Sequence, residues 1–238
     1  MDKRNVIILT VVVVILVALG VWYFATQGVS VGRQMTEQTN QRIATLEKEA
    51  ENGTANQSTL FELAHSYLLV GNYDSAIKYY TQAIPMSSSS VASAALYLGE
   101  AYAAKGDVAN AEEQLKNAIT YAEANEQALP SARGVVVPLT SSSSQTNDQA
   151  IEREIKSGAD ATLAQASMDL ASLYVKENKL NDAIAVLDNG ILKVPSYADF
   201  YKELAAIYTQ QGLAAPAAQF QSLYEAHASS TASSSIAR

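Results

Sequence analysis

The sequence predicts an all-α chain of stacked helix–turn–helix units preceded by one transmembrane helix. Three observations predict it. A 22-residue pattern is written four times, starting at Leu63, Leu98, Leu170 and Leu204. Each copy is broken near its middle by Gly or Asn, the residues that accept the left-handed conformation past a helix end. From Val6 to Phe24, nineteen consecutive residues carry no charge.

The apolar run comes first along the chain. A bilayer core takes about 20 apolar helical residues, and lipid, where no water competes for the backbone, enforces the helix even on a run of valines. Trp22 and Tyr23 stand at its far end, as in an aromatic belt. A cleaved signal peptide would have a shorter apolar region and a small-x-small site. Residues 1–27 are therefore expected to be an uncleaved anchor that meets the lipid bilayer through residues 6–24. Lys3 and Arg4 place the N-terminus in the cytoplasm and the remainder beyond it, in a single-pass protein of the cell membrane.

Residues 28–56 read as a juxtamembrane helical stalk, with the helix from Gly32 to Glu51 ended by Asn52-Gly53. Its apolar stripe is thin (Met35, Ile43, Leu46 and Ala50) but offers a route to homodimerisation. Asn52 and Asn56 each begin an N-x-[ST] triplet, a number that chance supplies in a chain this rich in Ser and Thr.

The four copies occupy residues 57–124 and 164–228. A small residue follows each leading Leu: Ala64, Gly99, Ala171 and Ala205. Tyr67, Tyr102, Tyr174 and Tyr208 stand four residues after it, and the helix stops Gly71, Gly106, Asn178 and Gly212 four further on. Ala76, Ala111, Ala183 and Ala217 come five after the stops. The small residues let two helix backbones approach, and Leu with Tyr at this spacing forms an apolar stripe. One hairpin cannot bury that stripe alone, whereas three or more stacked hairpins can.

This pattern resembles the tetratricopeptide repeat, a 34-residue helix–turn–helix with an L-G-x-x-Y and A-x-x-x-F core. The first copy matches as Leu63-Ala64-x-x-Tyr67 with Ala76-x-x-x-Tyr80, the second as Leu98-Gly99-x-x-Tyr102 with Ala111-x-x-x-Leu115. The third keeps Ala183-x-x-x-Leu187 and a closing Pro195, and the fourth departs at Gln221. Leu60, Ala95, Ser167 and Tyr201 replace the repeat's early Trp.

The resemblance implies a superhelix whose first helices line a groove. Its candidate residues are Phe61, His65 and Leu68; Leu96, Glu100 and Ala103; Met168, Ser172 and Val175; Lys202, Ala206 and Thr209. Family members that grip C-terminal carboxylates use Lys, Asn and Arg there. Lys202 alone among these twelve is of that kind, so the resemblance implies an apolar to weakly polar groove for a helix or extended peptide.

Copies two and three lie 72 residues apart rather than 34. Residues 125–163 are expected to be an insertion, with Ser141–Ser144 as a loop and a short helix capped by Asn147 or Asp148 and closed by Gly158. On this reading two repeat pairs are joined by an arm. Residues 229–238 read as a disordered Ser-rich tail.

The composition excludes much else. A net charge of −8 disfavours nucleic acid, and the absence of Cys excludes disulfides and thiol catalysis. His65 and His227 lie at opposite ends of the array, and no metal-ligand spacing or phosphate-binding loop is present. Glu112-Glu113 and Glu152-Arg153-Glu154 read as solvated faces. No enzyme, cofactor or metal is expected. The expected role is a membrane-anchored scaffold or adaptor for protein partners, helping to assemble or stabilise a membrane-associated or cell-surface complex. The alternative is a permanent structural accessory subunit with no peptide-capture cycle.

Overall fold

A computed structural model describes residues 36–84, 91–128 and 142–236. These form nine helices and no strand. A first helix, α1, covers 36–51 and is followed by α2 (Gln57–Leu69), α3 (Tyr73–Ala83), α4 (Val91–Lys105) and α5 (Val108–Ala128). Then come α6 (Ser142–Lys176), α7 (Leu180–Lys193), α8 (Asp199–Gln210) and α9 (Ala214–Ile236). The hairpins α2–α3, α4–α5, the C-terminal half of α6 with α7, and α8–α9 are the four repeats, each packed on the next.

The repeat residues do mechanical work that follows from their types. Gly71, Gly106, Asn178 and Gly212 have φ of +77°, +86°, +59° and +75°. This geometry lets two backbone N–H groups turn back onto the helix end. In the first repeat Gly71 N–H donates to Leu68 O at 3.1 Å and Asn72 N–H to Tyr67 O at 2.9 Å. The same pair of bonds recurs at Gly106–Asp107, Asn178–Lys179 and Gly212–Leu213. Asn72 and Asp107 also cap the following helix, accepting from Ser75 N and Asn110 N. Each helix therefore stops, reverses and restarts within a few residues.

Close approach is the second device. A Cβ built on Gly99 would lie 2.8 Å from Leu115 Cγ, so α4 and α5 touch where the pattern writes Gly. Ala64 and Ala171 are fully enclosed at the equivalent positions. The apolar interior is nearly continuous. One cluster runs from Ala92 on α4 through Leu163, Leu170 and Leu187 to Leu204 and Ile207 on α8. A second joins Ile43 and Leu46 of α1 to Leu63, Tyr80 and Leu98, with Tyr102 packed against both.

Several expectations are corrected. Helix 36–51 is no free stalk: Ile43 and Leu46 are buried against the first repeat. Arg42 pairs with Glu62, and Tyr67 donates its hydroxyl to Glu47. Two apolar residues suffice because polar ties complete the contact, which takes up Ile43 and Leu46 of the stripe. Asn56 is the N-cap of α2, accepting from Thr59 N at 2.9 Å. Gly158 closes nothing, and neither Asn147 nor Asp148 is a cap. All three lie inside α6, which is 35 residues and about 52 Å long. Ser142–Ser144 are its first residues, not a loop. Because α6 packs on both α4 and α5, the third repeat sits directly on the second. Residues 129–141 lie outside the described residues. Over most of the expected tail α9 remains helical, to Ile236. Ala has the highest helix propensity, which offsets the neighbouring Ser residues.

The expected single-pass membrane localisation is also corrected. Among the described residues no helix is long and apolar enough to cross a membrane. α6 has the length, but Glu152, Arg153, Glu154, Lys156, Asp160 and Asp169 interrupt it. The span read at 6–24 lies outside the described residues, and with the localisation go the orientation and the membrane complex inferred from it.

Candidate protein-interaction groove

The first helices of the repeats, α2, α4, α6 and α8, present a row of side chains in a regular register. In the first and second repeats, the residue two after the leading Leu meets the residue one before the next leading Leu. His65 of α2 therefore meets Tyr97 of α4, with ring centroids 5.2 Å apart and edge to face. Glu100 of α4 meets Asp169 of α6 carboxyl to carboxyl.

Around the first of these contacts lies an aromatic cluster. Phe61 stands edge-on to Tyr80 at 5.5 Å and to Tyr97 at 5.6 Å, and Tyr80 stacks on Tyr97 at 6.0 Å. His65 Nδ1 and the Tyr80 hydroxyl are 3.3 Å apart. Tyr80 is fully buried, whereas Phe61, His65 and Tyr97 are only half-buried. Aromatic rings held this way offer large contact area at low entropic cost. Burial holds the Tyr80 phenol well above the usual tyrosine range, so it acts as a neutral hydrogen-bonding group.

Beside it the surface turns acidic. Glu100 is pushed up to about 7, first by burial and then by the charge and hydrogen bond of Asp169. Asp169 is also raised by burial, opposed by hydrogen bonds from Gln165 and Glu100 and by the charge of Lys176.

The structure sorts the twelve candidates. Phe61, His65, Leu68, Glu100, Met168, Ser172 and Val175 are half-buried, while Ala103, Lys202, Ala206 and Thr209 are exposed. Leu96 is a core residue, 5% exposed, packed with Ala111 and Leu115. Its neighbour Tyr97, which sequence reasoning missed, takes the place expected of it. Lys202 extends over the Tyr224 ring at 6.0 Å. Phe61, His65 and Glu100 are brought into one neighbourhood, with Lys202 on the fourth repeat.

Glu112 was expected to be a solvated face but is a structural tie. It accepts from the Tyr174 hydroxyl at 2.9 Å and from Lys116 Nζ at 2.5 Å, joining α5 to α6. Its carboxyl is held below the usual range, chiefly by Lys116. Glu47 serves Tyr67 in the same way from α1, so α1 occupies the place of a second helix ahead of the first repeat. Among the described residues, no group of three or more His, Asp or Glu side chains is arranged to hold a metal ion.

Comparison with known proteins agrees with this architecture. The structure of MamA is similar, with a TM-score of 0.56 and 18% identity over 80% of this chain and 89% of that one. A Podosopora anserina putative kinesin light chain with nearly identical TPR-like repeats is similar at a TM-score of 0.54 and 17% identity, over 83% of this chain and 90% of that one. At these identities the likeness is one of fold. No curated protein sequence matches. The sequence profile of the tetratricopeptide repeat matches residues 61–128 and 168–231, together more than half of the chain. Proteins built from this repeat are in general non-enzymatic scaffolds for protein–protein interaction. Four left-handed helix stops in register, hairpins stacked in order and the profile over both halves lead to one conclusion: the chain belongs to the tetratricopeptide repeat family.

Proposed function

We propose that the chain is a protein-interaction adaptor that uses the face of α2, α4, α6 and α8 to hold a partner segment by apolar or aromatic anchors, and so helps to hold a protein assembly together. The observation that carries this reading is the half-buried aromatic cluster of Phe61, His65 and Tyr97 over the buried Tyr80. Rigid aromatic residues around a desolvated centre are the usual hot spots of recognition. Lys202 is the only Lys, Asn or Arg among the twelve candidate residues, and the Glu100–Asp169 pair adds negative charge, which argues against capture of a C-terminal carboxylate.

Peptides selected from a random displayed library against the full chain provide the test. The selected peptides are expected to carry apolar or aromatic anchors. Phe61→Ala combined with Tyr97→Ala is expected to weaken them about tenfold or more, as loss of such an anchor does. Leu192→Ala, at a site 80% exposed on α7, is expected to leave affinity unchanged. Equal binding by the double variant, or selection of acidic C-termini, would overturn the assignment.

A further inference from the structure

The joint between the second and third repeats contains a feature that the adaptor reading does not use. Asp169 Oδ1 accepts from Gln165 Nε2 at 3.0 Å, while Asp169 Oδ2 is withdrawn from solvent and has no N–H or hydroxyl donor among the described residues. An ionised carboxylate oxygen buried in this way is strongly disfavoured. The group that meets Asp169 side chain to side chain is the carboxyl of Glu100, from the facing helix. A carboxyl can supply the missing donor only when it carries a proton.

We propose that Glu100 and Asp169 share a single proton, donated by the Glu100 carboxyl to Asp169, and that this proton fastens the groove side of the second repeat to the third. The joint is then a proton-dependent latch between α4 and α6, tightened by mild acidification and loosened as the proton leaves. Among the described residues, the other titratable groups acting on the pair are Tyr80 on α3, Lys176 on α6, and Tyr197 in the α7–α8 turn. Tyr97 on α4 and His65 on α2 connect to it through Tyr80. Tyr80 and Tyr197 are both held above the usual tyrosine range, chiefly by burial, so they are neutral through the physiological range. The amide of Gln165, which donates to Asp169 Oδ1, and to a lesser degree the charge of Lys176 favour the ionised form of Asp169, leaving Glu100 as the member that holds the proton.

The sign follows from linkage. Glu100 is raised from 4.5 to about 7 in the folded chain, so between those values the folded state holds more protons than the unfolded one. Stability therefore falls as pH rises through that window and levels off above it. The experiment is thermal unfolding of the full chain between about pH 5 and pH 8, for wild type and Glu100→Gln. The glutamine amide donates to Asp169 at every pH. The variant is expected to lose the part of the wild-type decline in melting temperature that Glu100 causes, and so to show a shallower slope. Carbon-13 titration of the wild-type Glu100 carboxyl, assigned through its own backbone, keeps the test decisive if the variant does not fold, with an expected midpoint near neutrality. Equal slopes for the two proteins, or a Glu100 midpoint in the ordinary carboxylate range, would overturn the proposal.

Discussion

Phe200→Ala is expected to lose about 3–5 kcal/mol of stability, the range for emptying a fully packed aromatic site. For a chain of this size that is a fall of roughly 10 °C in melting temperature. Phe200 is 0% exposed and lies in the same core as Leu187 and Leu204. Its ring sits on Gly190 of α7, so close that a Cβ on that glycine would be 2.6 Å from Phe200 Cζ. This contact explains why a helix interior carries Gly, which otherwise costs about 1 kcal/mol relative to Ala. It also fixes a sign reversal. Gly190→Ala should destabilise the wild type, because the added methyl meets the ring, yet stabilise the Phe200→Ala variant, where it enters the space the ring has left. Circular dichroism melts of the two single variants and the double variant measure the coupling. Additive effects would show that the ring does not lie over Gly190.

Gly106→Val is expected to cost about 1–3 kcal/mol, from backbone strain alone. Gly106 has φ +86°, a conformation that β-branched residues resist, and nothing lies within 4 Å of the position its Cβ would take. Gly106→Asn should cost much less, since Asn178 already adopts φ +59° at the same place in the third repeat. Urea unfolding of both variants separates backbone strain from side-chain crowding. An equal loss in the two would refute the strain assignment.

What the sequence revealed and what it concealed divide along physical lines. The four helix stops were legible because a left-handed cap is a local requirement that a single residue type satisfies. Gly99 was legible for a similar reason, being a small residue where two helices cross. Gly158 misled because Gly punctuates helices only when its φ turns positive, which sequence alone does not give. The docking of α1 was hidden because Ile43 and Leu46 form too thin a stripe to announce burial, and Arg42 and Tyr67 complete the contact with polar ties. By repeat register Leu96 matches Phe61, which predicts a place in the groove. In the second repeat, however, that position belongs to the apolar core that α4 shares with α5 and α6, and Tyr97 takes the aromatic role. Glu100 and Asp169 were hardest to pair, with 38 extra residues obscuring the register between their repeats. The signal was nonetheless present: His65 with Tyr97 sets the rule that Glu100 with Asp169 then follows. Gly190 carried a weaker signal, as an isolated Gly in a helical stretch often has a packing reason.

The central claim is that the four hairpins stack without a break, the third directly on the second despite the long segment between them. Ser93 Oγ of α4 and Thr162 Oγ1 of α6 are 3.4 Å apart across that joint. The chain has no cysteine, so Ser93→Cys with Thr162→Cys introduces the only two thiols. Treated with a short bismaleimide and weighed intact, the folded double variant is expected to carry one linker bridging both thiols within a monomer. Two separately capped thiols, with no bridge, would contradict the continuous stack.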